Sequence, residues 1–394
     1  MHTLIELYDE RPLDNVLGVE MFHPERVVYI CPENVASDQE IQKTLRAYFK
    51  WRGMKLELIF LRSSVYDAEA MLRVFRKVLD QYPDASLDIT GGTDAVLFAA
   101  GLLSSESKIP VFTYSRKRNR FYNIRNAPFA SNVLCNISFS VEDCFLMAGG
   151  SMRKGRVDNS ILCNYLNDID PFFQLYLRHR REWTNIVTWF QRVSPSTPEG
   201  DFSIEITCPY TVKGERSNRI GAPEDTLREL EQIGFLMDLE IHGEETVSFR
   251  FRDTQIRTWL RDVGSVLELY IYKACLDSGL FQDVITSAVV EWADTGDRNA
   301  VSNELDVMCT RGITPVFISC KTCDAKTVAL NELAVLRDRF GGNVAKAAIV
   351  TAGKGGIPMR NRASELGIDV IDINDLVNNR VNERLHSMMS TSRI

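Results

Sequence analysis

The 394-residue sequence lacks any long apolar run, and no stretch approaches the roughly 18 apolar residues that a membrane helix needs. It also lacks a dominant charge: 46 Lys and Arg face 53 Asp and Glu, giving a net charge of -7. That balance and the ordinary 45% apolar content exclude a disordered, fibrous or globally basic chain. The start, MHTLIELYDERP, has no basic head of a secretory signal. We therefore expect a cytoplasmic protein without a membrane partner.

Cysteine and histidine are too sparse and scattered to organise the fold. The nine cysteines are odd in number and spread along the chain, which favours reduced, buried thiols over a disulfide framework. The five histidines lie far apart, so their spacing gives no His-rich metal cluster. The length instead predicts two or three domains with cores of their own.

The first third of the chain alternates short apolar runs with amphipathic stretches, a pattern typical of an α/β domain. Strands are predicted at 27–30, 56–61, 87–89 and 111–114, with helices between them. Short buried strands joined through helices predict a parallel sheet with right-handed crossovers. Such sheets bind ligands beyond the carboxyl ends of their strands, so the loops after the strands are the candidate site.

Two of these loops carry groups that suit a phosphate ligand. The run from Asp88 to Ala95, DITGGTDA, combines two glycines, two threonine hydroxyls and the start of an apolar helix. The run from Tyr114 to Arg120, YSRKRNR, follows the next strand and is strongly basic. Each run alone could be a capped turn or a solvated basic loop. Because both fall at the same predicted sheet edge, together they favour a phosphate-containing ligand.

This arrangement resembles the sensor domain of CRISPR-associated Rossmann-fold (CARF) proteins over about residues 1–145. In that family the Asp-Ile-Thr-Gly-Gly-Thr stretch helps to bind a cyclic oligoadenylate, and two chains pair so that the ring lies across the dimer axis. The resemblance therefore implies a homodimer with a cyclic oligoadenylate, expected to be cyclic tetra-adenylate, as its activator. The implied ligand-binding residues are Thr90, Gly91, Gly92, Thr93 and Asp94, together with Asn34 after the first predicted strand and Arg116 after the fourth.

A connector is predicted from residue 146 to 255. It begins at the Gly-rich basic stretch 148–156, where the α/β periodicity stops, and continues as a helical region over 160–194. A helix at 223–232 followed by strands at 235–240 and 246–251 has the outline of a winged helix. Acidic residues on that helix would repel phosphates, so a packing role is favoured over nucleic-acid binding.

A second α/β unit is predicted from residue 256 to 394, and it contains a candidate metal-dependent nuclease site. Read as a hairpin, 304–308 and 315–319 place Glu304 and Asp306 on one strand face, and Ser319 and Lys321 on one face of the partner strand. Carboxylates bind a divalent cation that activates water, and a lysine can stabilise charge developing on phosphorus. Glu268, on the preceding predicted helix, offers another carboxylate.

The order helix-Glu, strand-Asp, strand-x-x-Lys resembles the PD-(D/E)xK restriction-endonuclease-like fold. The resemblance implies Mg²⁺ or Mn²⁺ held by Asp306, Glu268 and the backbone carbonyl of Cys320, with Lys321 stabilising the transition state. The chain departs from the family pattern at Ser319, where an acid is normally found. The missing charge then has to come from Glu304, Glu268 or Glu332, or the metal is bound more weakly.

Sensor, connector and nuclease in this order resemble the ancillary nucleases of type III CRISPR systems, which cyclic oligoadenylates switch on to cleave DNA, RNA or both. Three alternatives remain open. In the first, the chain is a ligand-sensing DNA-binding regulator with a degenerate nuclease domain. In the second, it is a sensor that also degrades its ligand. In the third, cleavage is carried out by Arg380 and His386, which have the spacing found in metal-independent ribonucleases.

Overall fold

The computed structural model describes residues 2–154, 159–195, 204–214, 218–292 and 302–390. Within these ranges the chain forms two large α/β sheets joined by a connector of helices and a small antiparallel sheet, which confirms the predicted fold class. None of the helices in these ranges combines the length and the apolar character needed to cross a bilayer.

The N-terminal sheet has seven strands, and its first five are parallel. In chain order they are β1 (Thr3–Leu7), β2 (Arg26–Cys31), β3 (Glu57–Arg62), β4 (Ser86–Asp88), β5 (Val111–Ser115), β6 (Arg120–Arg125) and β7 (Val133–Leu134). Their order in the sheet is β3-β2-β1-β4-β5-β6-β7, and the last two strands run antiparallel. The helices are α1 (Leu17–Phe22), α2 (Glu33–Ser37), α3 (Gln39–Trp51), α4 (Ala68–Gln81), α5 (Asp94–Glu106) and α6 (Val141–Met147).

Strand β1 corrects the sequence analysis, which began the sheet at residue 26. All five of its residues are buried, and it lies at the centre of the sheet between β2 and β4. The chain order reverses direction across the sheet between β1 and β4. This is the topological switch point, where doubly wound sheets form their ligand crevice. The candidate ligand loop, residues 88–95, therefore follows the fourth strand of the chain rather than the third, and it faces the end of β1.

The connector is built from α7 (Leu166–His179) and α8 (Trp183–Val193), followed by the winged-helix-like part. Its strands are β9 (Glu205–Pro209), β10 (Thr211–Lys213), β11 (Arg219–Gly221), β12 (Leu236–His242) and β13 (Thr246–Phe251), and its other helices are α9 (Glu224–Gln232) and α10 (Thr254–Leu260). Strand β13 pairs with both β12 and β9, so α9 packs beside a three-stranded sheet. Burial of Trp183, Trp189 and Trp259 gives this region its core.

The C-terminal sheet has six strands in the order β18-β17-β16-β15-β14-β8. After β8 (Ser151–Lys154), its strands are β14 (Asp283–Glu291), β15 (Ser302–Arg311), β16 (Thr314–Lys321), β17 (Lys346–Thr351) and β18 (Asp369–Ile371). Its helices are α11 (Ser265–Asp277), α12 (Thr327–Gly341), α13 (Ile357–Glu365), α14 (Ile373–Val377) and α15 (Val381–Ser390). Strand β8 comes from the stretch read above as aperiodic, of which 155–158 lie outside the described residues.

The N-terminal unit and the C-terminal unit also touch each other directly. The N–H of Phe139 donates to the carbonyl of Gly312 at 3.0 Å, and the N–H of Val141 donates to the Asp283 carboxylate at 2.8 Å. The rings of Phe145 and Phe340 pack edge to face with centroids 5.0 Å apart. One hydrophobic core is therefore shared by the two units, and a movement in one can be transmitted to the other without passing through the connector.

Candidate functional site

The ligand loop is held at the end of β4 by Asp88. Its Oδ1 accepts the N–H of Thr90 at 2.8 Å and the hydroxyl of Thr90 at 2.5 Å. The Thr90 hydroxyl oxygen in turn accepts the N–H of Tyr114 at 2.9 Å. Thr90 thus ties β4 to β5, and the turn that follows it has a fixed starting point at the sheet edge.

The two glycines of the loop have different reasons to be glycine. A Cβ on Gly91 would lie 2.7 Å from the backbone oxygen of Leu7, so the loop passes too close to β1 for any side chain. Gly92 has φ of +96°, which other residues rarely adopt. Thr93 precedes α5, and its hydroxyl donates to the carbonyl of Val65 at 2.5 Å. Asp94 is the first residue of α5 and is exposed.

Three charged residues that the sequence analysis missed lie beside this loop. Asp9 accepts the N–H and guanidinium of Arg11, and these bonds, with one from the backbone of Gly92, lower the pKa of Asp9 against the opposing effect of burial. Arg11 also pairs with the buried Asp14 at 3.0 Å. All three follow β1, so identifying TLIEL as a central strand would have placed them at the ligand edge.

Arg116 reaches the same cluster from the other side. Its guanidinium pairs with Asp14, and about a quarter of its side chain, 26%, stays exposed. Asn34 lies in α2, after β2, with its side chain exposed. Arg116 thus follows β5, the strand next to the one that carries residues 90–94, while Asn34 follows β2 and lies farther along the same sheet edge.

In the C-terminal unit, Asp306 is the centre of a polar cluster. Its Oδ2 accepts the hydroxyl of Ser319 at 3.0 Å, the N–H of Cys320 at 2.6 Å and the ammonium of Lys321 at 3.2 Å. The residues predicted from strand alternation on β15 and β16 therefore do meet. Ser319 occupies the position of the missing acid and bonds to Asp306.

The strands open around Asp306 to make room for this cluster. Pairing of β15 with β16 ends at Val307 and Ile318, and on the other side β14 and β15 skip the pair Ser287 and Asp306. Ser287 is buried with φ of +52°, and the hydroxyl of Thr286 donates to the Asp306 carbonyl at 2.8 Å. Backbone strain of this kind is concentrated at functional sites.

The protonation of the neighbouring groups follows from their surroundings. Burial disfavours the charged form of Lys321, but the Asp306 carboxylate and its hydrogen bond more than compensate and raise the pKa of Lys321 above its usual value. Burial, with the charges of Asp306 and Glu268, raises the pKa of the Cys320 thiol well above its usual value. Lys321 is therefore an ammonium rather than a general base, and Cys320 is a neutral thiol.

The three carboxylates considered as substitutes for the missing acid lie in different places. Glu268 sits on the first turn of α11, close enough to act on the charge of both Cys320 and Lys321. Glu304 lies on β15 two residues before Asp306, and its Oε1 is 3.4 Å from the hydroxyl of Ser287. Glu332 is exposed on α12. Glu268 is thus, of the three, the carboxylate whose charge acts on Cys320 and Lys321.

The groups around Asp306 suit a divalent cation that is held by few protein ligands. Among the described residues, no three His, Cys, Asp or Glu side chains group as a metal site. Mg²⁺, however, commonly takes only one or two protein carboxylates and completes its shell with water and substrate phosphate. Asp306 and Glu268 supply that number of carboxylates, and the Cys320 backbone lies against Asp306 through its N–H.

The alternative pair, Arg380 and His386, lies at the start of the last helix and on it. Residues 381–390 form the regular helix α15, with His386 exposed on it. Arg380 pairs with Asp375 at 2.9 Å. Arg380 therefore has a carboxylate partner within the C-terminal helices, while the His386 side chain lies on an exposed helix face.

The acidic helix predicted in the winged-helix-like connector is present as α9. Of the acidic residues on α9, Glu229 is tied to α7 by Arg178 and His179, at 2.5 and 2.9 Å. Glu224 accepts the hydroxyl of Tyr210 at 3.0 Å. These contacts fix α9 against its neighbours, as expected for a connector.

No protein-family model and no curated protein sequence matches the chain. Solved structures do match. Protein VC1899 from Vibrio cholerae is 15% identical with a TM-score of 0.74, over 98% of this chain and 97% of that chain. Can2 from Sulfobacillus thermosulfidooxidans, solved in complex with cyclic tetra-adenylate, is 17% identical with a TM-score of 0.72, over 98% and 99%. From end to end the chain therefore has the fold of Can2, with two large α/β sheets joined by a connector.

Proposed function

We propose that the protein is a nuclease of type III CRISPR defence that a cyclic oligoadenylate activates and that cleaves DNA, RNA or both with Mg²⁺ or Mn²⁺. The observation that carries the proposal is the cluster on Asp306, in which a carboxylate, a lysine ammonium and a nearby glutamate meet where two strands separate. Phosphodiester hydrolysis needs positive groups that neutralise the charge on the phosphate and the charge that develops during attack. A cation held by the carboxylates and the ammonium of the lysine would supply them.

The roles of the side chains follow from their protonation. Asp306 and Glu268 would hold the cation, which when bound activates water and neutralises charge on the phosphate. Lys321 keeps its proton, so it would stabilise the negative charge that builds up on the phosphoryl oxygens. Ser319 would fix the orientation of Asp306 through their 3.0 Å hydrogen bond, without adding charge.

The sensor suits a cyclic oligoadenylate for reasons of its own. Thr90, the N–H groups at the start of α5 and the guanidinium of Arg116 lie at the switch point, where they can meet phosphates. Can2, which shares this fold, was solved with cyclic tetra-adenylate. We therefore assign cyclic tetra-adenylate as the expected activator.

A second copy of the chain would complete the sensor. Helix α5 starts at the ligand loop and exposes an apolar stripe formed by Leu97, Phe98, Gly101 and Leu102, with Phe98 63% exposed. A symmetric ring bound at the loop needs the same groups from two sides, and the stripe continues directly from that loop. Pairing of two chains through α5 would bury the stripe and bring two ligand loops together.

The sensor loop has a direct route to the nuclease strands. Arg11, Pro12 and Leu13 line a cleft whose other wall includes Ile313 and Pro315, at the turn between β15 and β16. The same two strands carry Asp306 and Lys321. Ligand bound beside Arg11 would shift the population of this interface, provided that it binds the two arrangements with different affinities.

Cleavage assays test the proposal directly. Single-stranded DNA, RNA and supercoiled plasmid are incubated with the protein, with and without cyclic tetra-adenylate, cyclic hexa-adenylate and Mn²⁺. We expect cleavage that requires both a ring and the metal and that Lys321→Ala abolishes. Full activity in excess chelator would contradict the metal-dependent mechanism, and full activity of Lys321→Ala would contradict the site.

One observation favours a second candidate function, a ligand-sensing DNA-binding regulator. Ser319 replaces an acid, and the described residues hold no three-ligand metal group. The acidic face of α9 argues against this candidate, because it would repel the DNA backbone. Specific duplex binding without cleavage in the same assays would decide for it.

A further inference from the structure

Two carboxyl groups are buried side by side directly beneath the ligand loop. Glu6 of β1 and Asp88 of β4 are register partners on neighbouring strands, and their exposed fractions are 1% and 0%. Their oxygens Oε1 and Oδ2 lie 2.6 and 2.4 Å from where a Cβ on Gly18 would be, so they are no more than about 5 Å apart. Because Gly18, on α1, has no side chain, it leaves the space that these two carboxyl groups occupy.

The two facing oxygens have no partner among the described residues. Glu6 Oε1 and Asp88 Oδ2 are both buried and accept no hydrogen bond, while Asp88 Oδ1 is saturated by Thr90. Two bare carboxylates at this separation and without solvent would be strongly unfavourable. A proton held by one of these two oxygens removes one charge and can be donated to the other.

We infer that Glu6 and Asp88 share a proton, and that Glu6 thereby acts as a positioning residue for the ligand loop. The chain of contacts runs from Glu6 through Asp88 to Thr90 and on to the N–H of Tyr114. This inference rests on the proposed ligand binding at Thr90. It adds a dependence on pH: loss of the shared proton places two charges beneath the loop and weakens ligand binding.

The groups around the pair support one retained proton near neutral pH. Burial, with the charges of Asp88 and Asp14, raises the pKa of Glu6 well above its usual value, and burial raises the pKa of Asp88 to about 7. Tyr29, opposite Glu6 on β2, donates to a backbone carbonyl, and burial raises its pKa well above the usual value. Asp14 faces the pair from the segment before α1 but is itself paired with Arg116 and Arg11.

Three variants of the full chain separate the shared proton from mere packing. Glu6→Gln keeps a donor toward Asp88 that cannot be titrated, Glu6→Leu removes it, and Glu10→Gln changes an exposed acid on the same segment as a control. Binding of cyclic tetra-adenylate is measured by calorimetry from about pH 7 to pH 10. We expect the affinity of the wild type and of the control to fall on the alkaline side and that of Glu6→Gln to stay level. Glu6→Leu should bind about tenfold to a hundredfold more weakly at neutral pH.

The result that overturns the inference is equally specific. If Glu6→Gln binds as weakly as Glu6→Leu, or loses affinity at alkaline pH in parallel with the wild type, no proton is shared. The second outcome compares only Glu6→Gln with the wild type, so it does not depend on whether Glu6→Leu folds.

A ligand-free measurement keeps the inference separate from the proposed function. The folded pair holds a proton that the unfolded chain has released, so alkaline pH destabilises the wild type, by about tenfold in the unfolding equilibrium per pH unit per proton. Denaturant unfolding of the wild type and Glu6→Gln should therefore diverge as pH rises. Parallel profiles would refute the shared proton even if no cyclic oligoadenylate binds, whereas diverging profiles without ligand binding would refute only the ligand.

Discussion

Replacing Ser319 by glutamate would restore the acid that the nuclease pattern lacks. Ser319 bonds to Oδ2 of Asp306 at 3.0 Å, so a glutamate here would place its carboxylate roughly 4 Å from that of Asp306. Without a cation, two such charges repel each other by about 4 kcal/mol at an effective dielectric constant of 20, and the ammonium of Lys321, 3.2 Å from Asp306, offsets part of this. The lost hydroxyl bond costs about 1 kcal/mol more. In chelator we expect Ser319→Glu to be less stable than the wild type by about 2 to 4 kcal/mol.

A divalent cation should reverse this effect. The cation would neutralise the repulsion between the two carboxylates and would gain the new carboxylate as a third protein ligand. Mn²⁺ should therefore raise the melting temperature of Ser319→Glu by more than that of the wild type. Ligand-stimulated cleavage at low Mn²⁺ should rise about tenfold, the equivalent of 1.4 kcal/mol of additional metal or transition-state binding.

The assay is thermal unfolding and plasmid cleavage over a Mn²⁺ titration, with Ser319→Gln as a control of equal size without the charge. If Ser319→Glu and Ser319→Gln respond alike to Mn²⁺, no metal lies beside Asp306. The reasoning about the site would then be refuted. A gain in Mn²⁺ affinity without a gain in cleavage would instead mean that the metal binds but that Lys321 or the substrate is misplaced.

Other variants test the remaining assignments. Lys321→Met should lower ligand-stimulated cleavage at least a hundredfold with unchanged ligand affinity, whereas Lys326→Met, at an exposed lysine nearby, should cleave normally. Thr90→Val removes the hydroxyl that joins Asp88 to Tyr114, and calorimetry should show about tenfold weaker binding of cyclic tetra-adenylate. Phe98→Glu should yield monomers in sedimentation velocity and lose stimulated cleavage, while Tyr66→Glu, at a side chain 85% exposed outside α5, should remain dimeric.

Much of the candidate site could be predicted because local pattern determines it. Alternation along a strand places Asp306, Ser319 and Lys321 on facing positions, and the structure joins all three by hydrogen bonds. The glycines after β4 likewise signal a close backbone approach. The close approach to Leu7, however, depends on β1, which periodicity did not reveal, because TLIEL is short and its buried Glu6 breaks the apolar run.

The parts that escaped prediction are those made by residues distant in sequence. Strand β8 joins the C-terminal sheet from the other side of the connector, and the side chain of Asn159 just after it bonds to both backbone groups of Thr286 at 2.9 Å. Thr286 then holds the carbonyl of Asp306. No local pattern connects residue 159 with residue 306, so this support for the site emerges only from the tertiary structure.

The contact between the N-terminal and C-terminal units is of the same long-range kind, and the proposed coupling through it can be tested at Leu13. This side chain lines the cleft against Ile313, between the ligand-side Arg11 and the turn of the catalytic strands. Leu13→Ala removes packing at that junction without touching the ligand loop or Asp306. We expect an unchanged affinity for cyclic tetra-adenylate and a loss of about fivefold or more in ligand-stimulated cleavage, the range in which coupling energies fall. Leu134→Ala, at an exposed leucine of β7 in the N-terminal sheet, is the control. If Leu13→Ala is stimulated as strongly as the wild type, the activating movement does not pass through this cleft, and the connector must carry it.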